Sequence, residues 1–470
     1  MDSTEITSLT ALQLGELIQS REVRAVEVVQ AHLTQIDILN PRLNAVTQTL
    51  AEDAERLAAE ADVRAATGKP LSALDGVPFS VKENIDCLGT PTTEGLLVLA
   101  DNMPSRDAPT VERMKAAGAI PLARTNMPDL GLRVHTDNAL HGPTLNPWDN
   151  DLTCGGSSGG EGVAIATGMS PMGIGNDIGG SVRNPAYCSG ILGHKATPHR
   201  LPRAASTPPT SWGPAKQLMS VNGPMARSAA DLRVMFSIMH GRHPLDPWSV
   251  TTSFADVPTG ARPAIALVPE PEGGETSPEV AAGVREVGEA LRERGFEVTE
   301  AAPPGLDDVV SAWQIWLAGE VHLRRELIDA VLSPDAKRVL DLLDEEAGEQ
   351  DLLSTVDALT ARHGLAQAWV DFMQTTPIII GPVWTQKPFA VGFDIESSEA
   401  GDEVMSMLRF VVPANVLGLP ATSVPVGLDS DRLPRGVQVI GEHHADDLCI
   451  EIAEVIGEAF PVEAPPAHLV

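Results

Sequence analysis

Apolar residues near the start of the chain recur at helical spacing. Val26, Val29, Leu33 and Ile36 fall on one face of an amphipathic helix. Asn40-Pro41 is expected to break that helix. The stretch from Ala51 to Ala66, rich in Ala, Glu and Arg, predicts another. Residues 1–65 are therefore expected to form a helical segment packing on the remainder. From "LDGVPFSVKENID" onward the pattern changes to short apolar runs separated by Gly and Pro. "GVPFSVK" and "GAIPLAR" predict strands with the helix "TVERMKAAG" between them, and "PAIALVPE", "SPEVAAGVREVGEALRERG" and "FEVTEA" repeat strand, helix, strand. Residues from about 306 to 375 are expected to be mostly helical, with "DLLSTVDALTARHGLAQAWVDFM" periodic over several turns. Strands return in "TPIIIGPV", "ATSVPVGL" and "GVQVIGE", and the pattern closes on the helix "DDLCIEIAEVIGEAF".

Such alternation predicts an α/β fold, a central mixed sheet covered by helices on both faces. Neither an internal repeat nor a long low-complexity linker is visible, so residues 66–470 are expected to be one structural unit. The Pro-rich stretches "RLPRAASTPPTSWGP" and "FPVEAPPAHLV" predict loops or a tail.

Composition narrows the partners. The chain has 470 residues, 43% of them apolar, ample for a core. Its 33 Lys and Arg stand against 64 Asp and Glu, a formal charge of −31 that repels nucleic acid and anionic membranes. Cys87, Cys154, Cys188 and Cys449 are widely spaced, unlike a disulfide framework or a zinc site. The N-terminus is acidic where a signal peptide would be basic, and no apolar run is as long as a membrane span. These features predict a soluble protein of a reducing cytoplasm, with no metal and no cofactor. A homodimer is compatible with them.

The stretch "CGGSSGGEGVAIATGMSPMGIGNDIGGSVRNP", Cys154 to Pro185, is rich in glycine and poor in side chains large enough to pack. On the residues alone it admits three readings. A phosphate-cradling loop lacks the Lys that would follow the glycines, and "GIGNDIGG" fits a dinucleotide fingerprint only loosely. A structural turn capped by its serines is the second. The third is a nucleophile site, with Ser181 preceded by glycines whose N–H groups face a cavity and with Ser157 and Ser158 in a second Gly-bracketed turn. That reading needs a base. His194 and His199 lack an evident acid partner. Lys82, at the end of the apolar run "GVPFSVK", would lose its charge on burial and become a base near neutral pH; a surface pairing with Glu83 or Asp86 is the alternative.

These residues resemble the amidase signature family of hydrolases. The resemblance rests on Gly155-Gly156-Ser157-Ser158-Gly159-Gly160, Gly175-Asn176-Asp177-Ile178-Gly179-Gly180-Ser181-Val182-Arg183, and Gly76-Val77-Pro78-Phe79-Ser80-Val81-Lys82-Glu83-Asn84. "RTNMPDL", "GPTLNPWD", "GPMARSAADL" and "VVPANVLGLPATSVPVG…LPRGVQVIGE" are similar to family landmarks in the same order. The resemblance implies Ser181 as nucleophile, Ser157 as bridging serine in a cis peptide, and neutral Lys82 as the base. It implies an oxyanion hole from the N–H groups of Ile178, Gly179, Gly180 and Ser181. Asp177 and Arg183 are expected to pair, and Ser158 to support Lys82. Asn176 stands where the family usually has Thr, and a retuned network is expected there. The family's "LKPT" and Cys-Gly read His194-Lys195-Ala196-Thr197 and Ser189-Gly190 here.

The activity so implied is hydrolysis of a linear aryl or aliphatic carboxylic acid amide by way of an acyl-enzyme. The alternative is the glutaminase-type A subunit of a glutamyl-tRNA amidotransferase, whose glutamine-binding and docking motifs are not found in the C-terminal half. For the pocket, the expected residues are Gly131, Leu132, Arg133, Tyr187, Trp313 and Trp316, with Trp212 and Trp384 as further aromatic candidates. Tyr187 could equally pack behind the loop. Arg133 could bind a carboxylate or pair with Asp129.

Overall fold

In the computed structural model, which describes residues 1–208, 210–252, 262–347, 351–466 and 468–469, the strands form one mixed sheet. Pro209 of the first Pro-rich loop, residues 348–350 of the helical region, and Ala467 and Val470 of the tail lie outside the described residues. Eleven strands are described: β1 Val46–Thr49, β2 Pro78–Lys82, β3 Ile120–Thr125, β4 Met172–Asp177, β5 Leu192–Lys195, β6 Val221–Ala226, β7 Ile265–Leu267, β8 Val298–Glu300, β9 Ile378–Pro382, β10 Ala421–Leu428 and β11 Pro434–Gly441. Their spatial order is β1-β3-β2-β4-β6-β5-β10-β11-β9-β7-β8. The pairs β3–β2, β2–β4, β9–β7 and β7–β8 are parallel and the remaining ones antiparallel.

The alternation read from the sequence is the architecture found. Helices Gly159–Ala166 and Arg183–Ser189 pack on each other and on the middle strands, while Ala229–Met239, Pro278–Glu293 and Asp446–Ala459 also lie against the sheet. Leu306–His322, Arg325–Asp329, Pro334–Ala347 and Leu352–Met373 supply the expected helical region. With Trp316, Trp369, Trp384 and Phe410 they build a second apolar core beside that of the sheet. No helix among the described residues is long and apolar enough to cross a membrane.

Three local expectations are corrected. The first 65 residues are not helical throughout, because β1 intervenes and pairs with β3, placing its chain on the sheet edge. Pro41 does not break its helix, which runs from Ala25 to Leu43. A proline in the last turn removes only one backbone bond, and Asn44 ends the helix in the left-handed region at φ 50°. The Gly- and Ser-rich stretch is core after all, forming the helix Gly159–Ala166 and the strand β4, nearly all of it buried.

Glycine makes that burial possible by letting a helix approach the sheet. A Cβ on Gly160 would collide with the backbone of Asn126 and the carbonyl of Ala45. On Gly173 of β4 it would occupy the space of the Glu161 carboxyl and the Ser80 hydroxyl. Because the first obstacle is backbone, Gly160→Ala is expected to cost about 1–3 kcal/mol, read as a lower urea midpoint at unchanged m-value. An unchanged midpoint would show that the helix has room to move away.

Candidate active site

β2 and β4 are parallel neighbours, so their carboxyl ends, Lys82 and Asp177, reach the same edge of the sheet. Open sheets collect ligand-handling residues at such an edge. Lys82 is fully buried, and loss of hydration brings its pKa from 10.5 down to about 7 against the opposing pull of Glu94, Asp177 and Glu161. Its Nζ makes two hydrogen bonds, 2.7 Å to Ser157 Oγ and 2.8 Å to Asn176 Oδ1. The surface pairing considered for Lys82 is not found. Glu83 instead faces His141, 3.0 Å away, and Thr93, while Asp86 accepts from Thr92, Ser206 and Thr207.

Ser157 follows a cis peptide bond from Gly156. Its Oγ lies against Gly131, where a Cβ would stand 3.1 Å from it. Ser181 sits on the turn after β4 and opens into a cavity of about 430 Å³ that Gly131 also lines. The two serine loops are tied together: Ser158 N donates to Ser181 O at 3.2 Å, and Asn184 Nδ2 reaches the carbonyls of Gly156 and Gly179, each at 3.3 Å. Ser158 reaches Lys82 only through Asn176. Its hydroxyl points to the Asn176 carbonyl, 3.4 Å away, because a Cβ-less Gly175 leaves the space beside that strand open to it.

Asp177 holds the turn that carries Ser181. Against the upward push of burial, the Arg183 guanidinium keeps its carboxyl well below the usual carboxylate range. Its oxygens accept from Gly180 N at 2.8 Å, Val182 N at 3.2 Å, Arg183 Nε at 3.0 Å and Asn415 Nδ2 at 2.9 Å. Arg183 in turn donates to Val411 O, Gln438 Oε1 and Asn415 Oδ1, which ties the turn to the C-terminal strands. The Gly180 N–H is thereby committed to Asp177, a correction to the oxyanion set. Among the described residues, the N–H groups of Ile178, Gly179 and Ser181 meet no protein acceptor. Trp313 backs this turn, donating from Nε1 to Ile178 O at 3.1 Å with its ring against Gly179.

The cavity walls are mostly aliphatic, from Leu130, Leu132 and Val134 on one side and Val339, Leu340 and Leu343 on another. Gly131, Leu132, Arg133 and Trp313 line it as expected. Trp316 does not: one turn farther along the same helix, it is buried in the helical core near the Arg362 guanidinium. Tyr187 packs behind the loop against Trp384, its hydroxyl donating to Gln386 O at 3.0 Å. Trp384 is likewise core, bonded to Asn184, and Trp212 is covered by Arg203. Arg133 pairs with neither Asp129 nor a vacant site but with Asp394, at 2.9 and 3.0 Å. His194 does have an acid partner, Asp446 at 3.2 Å, within a buried cluster that includes Arg200.

Several polar residues of the site escaped the sequence reading. Asn84, Glu161, Asn184 and Asn415 all lay inside stretches already quoted but carried no role there, and Asp394 lay outside them. Glu161, buried under β2 and β3 with Ser80 and Thr125 donating to it, has its pKa pushed up to about 7 by burial. Among the described residues no group of His, Cys, Asp and Glu could hold a metal ion.

Replacing Arg183 by Met would leave Asp177 buried without its cation. The expected loss is about 3–5 kcal/mol of unfolding free energy, measured by urea denaturation. A loss under ~1 kcal/mol would mean that backbone donors alone hold the turn.

A family model described as Amidase matches residues 27–450. An indoleacetamide hydrolase of Bradyrhizobium diazoefficiens is 37% identical over 452 residues, 95% of this chain and 86% of its own length. An acylamidase of Rhodococcus erythropolis is 32% identical, covering 95% of this chain and 94% of its own. Among solved structures, 6-aminohexanoate cyclic dimer hydrolase with bound substrate superposes with a TM-score of 0.81 at 26% identity, over 97% of this chain and 98% of that one.

Proposed function

The chain belongs to the amidase signature family, and on that premise we propose that it hydrolyses neutral, apolar carboxylic acid amides through an acyl-enzyme on Ser181. The observation that carries this reading is the buried Lys82 Nζ, 2.7 Å from Ser157 Oγ, which lies against Gly131 in the wall of the cavity that Ser181 opens into. Ser181 Oγ attacks the amide carbon while its proton passes to Ser157 and the Ser157 proton passes to Lys82. The carbonyl oxygen gains the negative charge and is held by the N–H groups of Ile178, Gly179 and Ser181. Collapse breaks the C–N bond as Lys82 returns its proton, through Ser157, to the departing amine. Water then attacks the ester along the same route, releasing the acid.

The lining supports an uncharged acyl group. Each cation along the cavity already faces a carboxylate: Arg133 has Asp394 at 2.9 Å, Arg324 has Glu320 at 3.4 Å and Lys216 has Glu94 at 3.9 Å. The carboxylate of an anionic or zwitterionic substrate such as glutamine would have to compete with one of these pairs, which argues against the glutaminase alternative. A cavity of about 430 Å³ suits an aryl or medium alkyl group, and the similarity to an indoleacetamide hydrolase supports arylacetamides as first candidates. The cysteines, buried and unpaired, support action in the reducing cytoplasm.

Ser181→Ala is expected to abolish release of ammonia or amine from arylacetamides and alkylamides, and a fluorophosphonate should label Ser181 by peptide mass spectrometry. Label on Ser157 would reverse the two roles. Glutamine should be turned over at least about 100-fold more slowly than the best arylacetamide, since a buried charge without a partner is costly.

The pH profile follows from the state of Lys82. Below about 7 the lysine is an ammonium without a lone pair, so kcat/KM should fall about tenfold per pH unit on the acid side and level off above it. Lys82→Ala should lose at least about 10³-fold in kcat at every pH. Retained activity in that variant would assign the base elsewhere.

A further inference from the structure

We infer that Asn176 is a positioning residue for Lys82: its carboxamide, held in one orientation by Asn84, occupies one lysine N–H and leaves the amine lone pair directed at Ser157. The inference rests on the proposed role of Lys82 as the base. Asn176 lies on β4 beside the end of β2, and its two amide atoms have different chemistry. The oxygen only accepts and the nitrogen only donates. Nδ2 donates to Asn84 Oδ1 at 2.7 Å, which turns Oδ1 toward Lys82 Nζ at 2.8 Å.

A neutral lysine has two N–H groups and one lone pair. With one N–H spent on Asn176 and Ser157 Oγ at 2.7 Å as the other hydrogen-bonding neighbour, the lone pair is free to take the serine proton. A hydroxyl in place of this amide could rotate and donate its own proton to that lone pair, competing with Ser157. The carboxamide cannot, because its donors point toward Asn84.

The amide also adds no charge to a crowded surrounding. Lys82 already feels Glu94 from the loop after β2, Asp177 from β4, Glu161 from the helix Gly159–Ala166 and Lys216 from the helix Pro214–Met219. Arg124 of β3 donates to the Lys82 carbonyl at 3.1 Å. A carboxylate at position 176, in contact with Nζ, would outweigh these more distant groups and hold the ammonium.

The test is kcat/KM against pH for the wild type, Asn176→Asp, Asn84→Ala and Lys82→Ala, on one arylacetamide, with thermal melts to establish folding. Asn176→Asp is nearly isosteric. Its acid limb should move up by about one to two pH units, with a loss of about 10–100-fold at neutral pH that is recovered on the alkaline side. Asn84→Ala frees the amide to turn, and kcat should fall about tenfold while KM changes by less than about threefold. A limb that stays in place in Asn176→Asp, with a loss uniform across pH, would overturn the inference, as would an Asn84→Ala enzyme indistinguishable from wild type. Should Asn176→Asp fail to fold, the Asn84→Ala split between kcat and KM decides. An active Lys82→Ala enzyme would remove the base role itself; an inactive one beside an unmoved Asn176→Asp limb would remove only the role of Asn176.

Discussion

A lysine buried at the end of a strand, with no carboxylate in contact, is the constraint that the site answers. An ammonium there would be strongly penalised, so Lys82 is pushed toward the neutral amine, and its two hydrogen-bonding partners, Ser157 and Asn176, are uncharged. The negative charges that could pair with it are engaged elsewhere. Glu83 faces His141, Asp177 faces Arg183, and Glu161 accepts from two hydroxyls while its own pKa is driven upward by burial. Each of these neighbouring acids is satisfied by something other than the lysine.

The same logic governs the turn that carries Ser181. Asp177 and Arg183 are fully buried, and a buried ion pair is weak as a source of stability because desolvation offsets its attraction. Its contribution here is geometric. Asp177 takes two N–H groups of the turn, and Arg183 takes acceptors at Val411, Asn415 and Gln438, more than two hundred residues along the chain. Five groups from three regions must agree before Ser181 faces the cavity. Gln438 lies on β11, which sits in the middle of the sheet between β10 and β9.

Much of this was legible in the chain because chemistry at a sheet edge leaves local marks. Lys82 closes an apolar strand, and Ser157 and Ser181 stand among glycines, so the elements could be read, and the reacting residues proposed, from runs of a few residues. What escaped depends on contacts between distant segments. β4 was hidden because its glycines, selected for close approach to the helix Gly159–Ala166, mimic a loop. Trp316 was misread because spacing on a helix says which residues share a face but not what that face meets. The Gly180 N–H and the Ser158 hydroxyl were assigned by motif, yet a single acceptor, the Asp177 carboxylate or the Asn176 carbonyl, decides each. The partner of Arg133 is 261 residues away, beyond any local pattern.

Reaction and selection are built from different parts of the chain. The proposed reacting groups lie between Gly76 and Arg183, on β2, β4 and the turns around the helix Gly159–Ala166, where nearly every position is buried. Much of the acyl cavity comes from Trp313, Val321, Leu340, Leu343 and Met405, on helices that touch the machinery chiefly where Trp313 meets Ile178 and Gly179. Side chains on those helices can change size without altering the solvation of Lys82, because none of them contributes to its hydrogen bonds. Trp313 is the exception, since it both walls the cavity and supports the carbonyl of Ile178, whose N–H is proposed to face the developing oxyanion. A change there should alter rate and selectivity together, whereas changes at Leu340 or Met405 should alter selectivity alone.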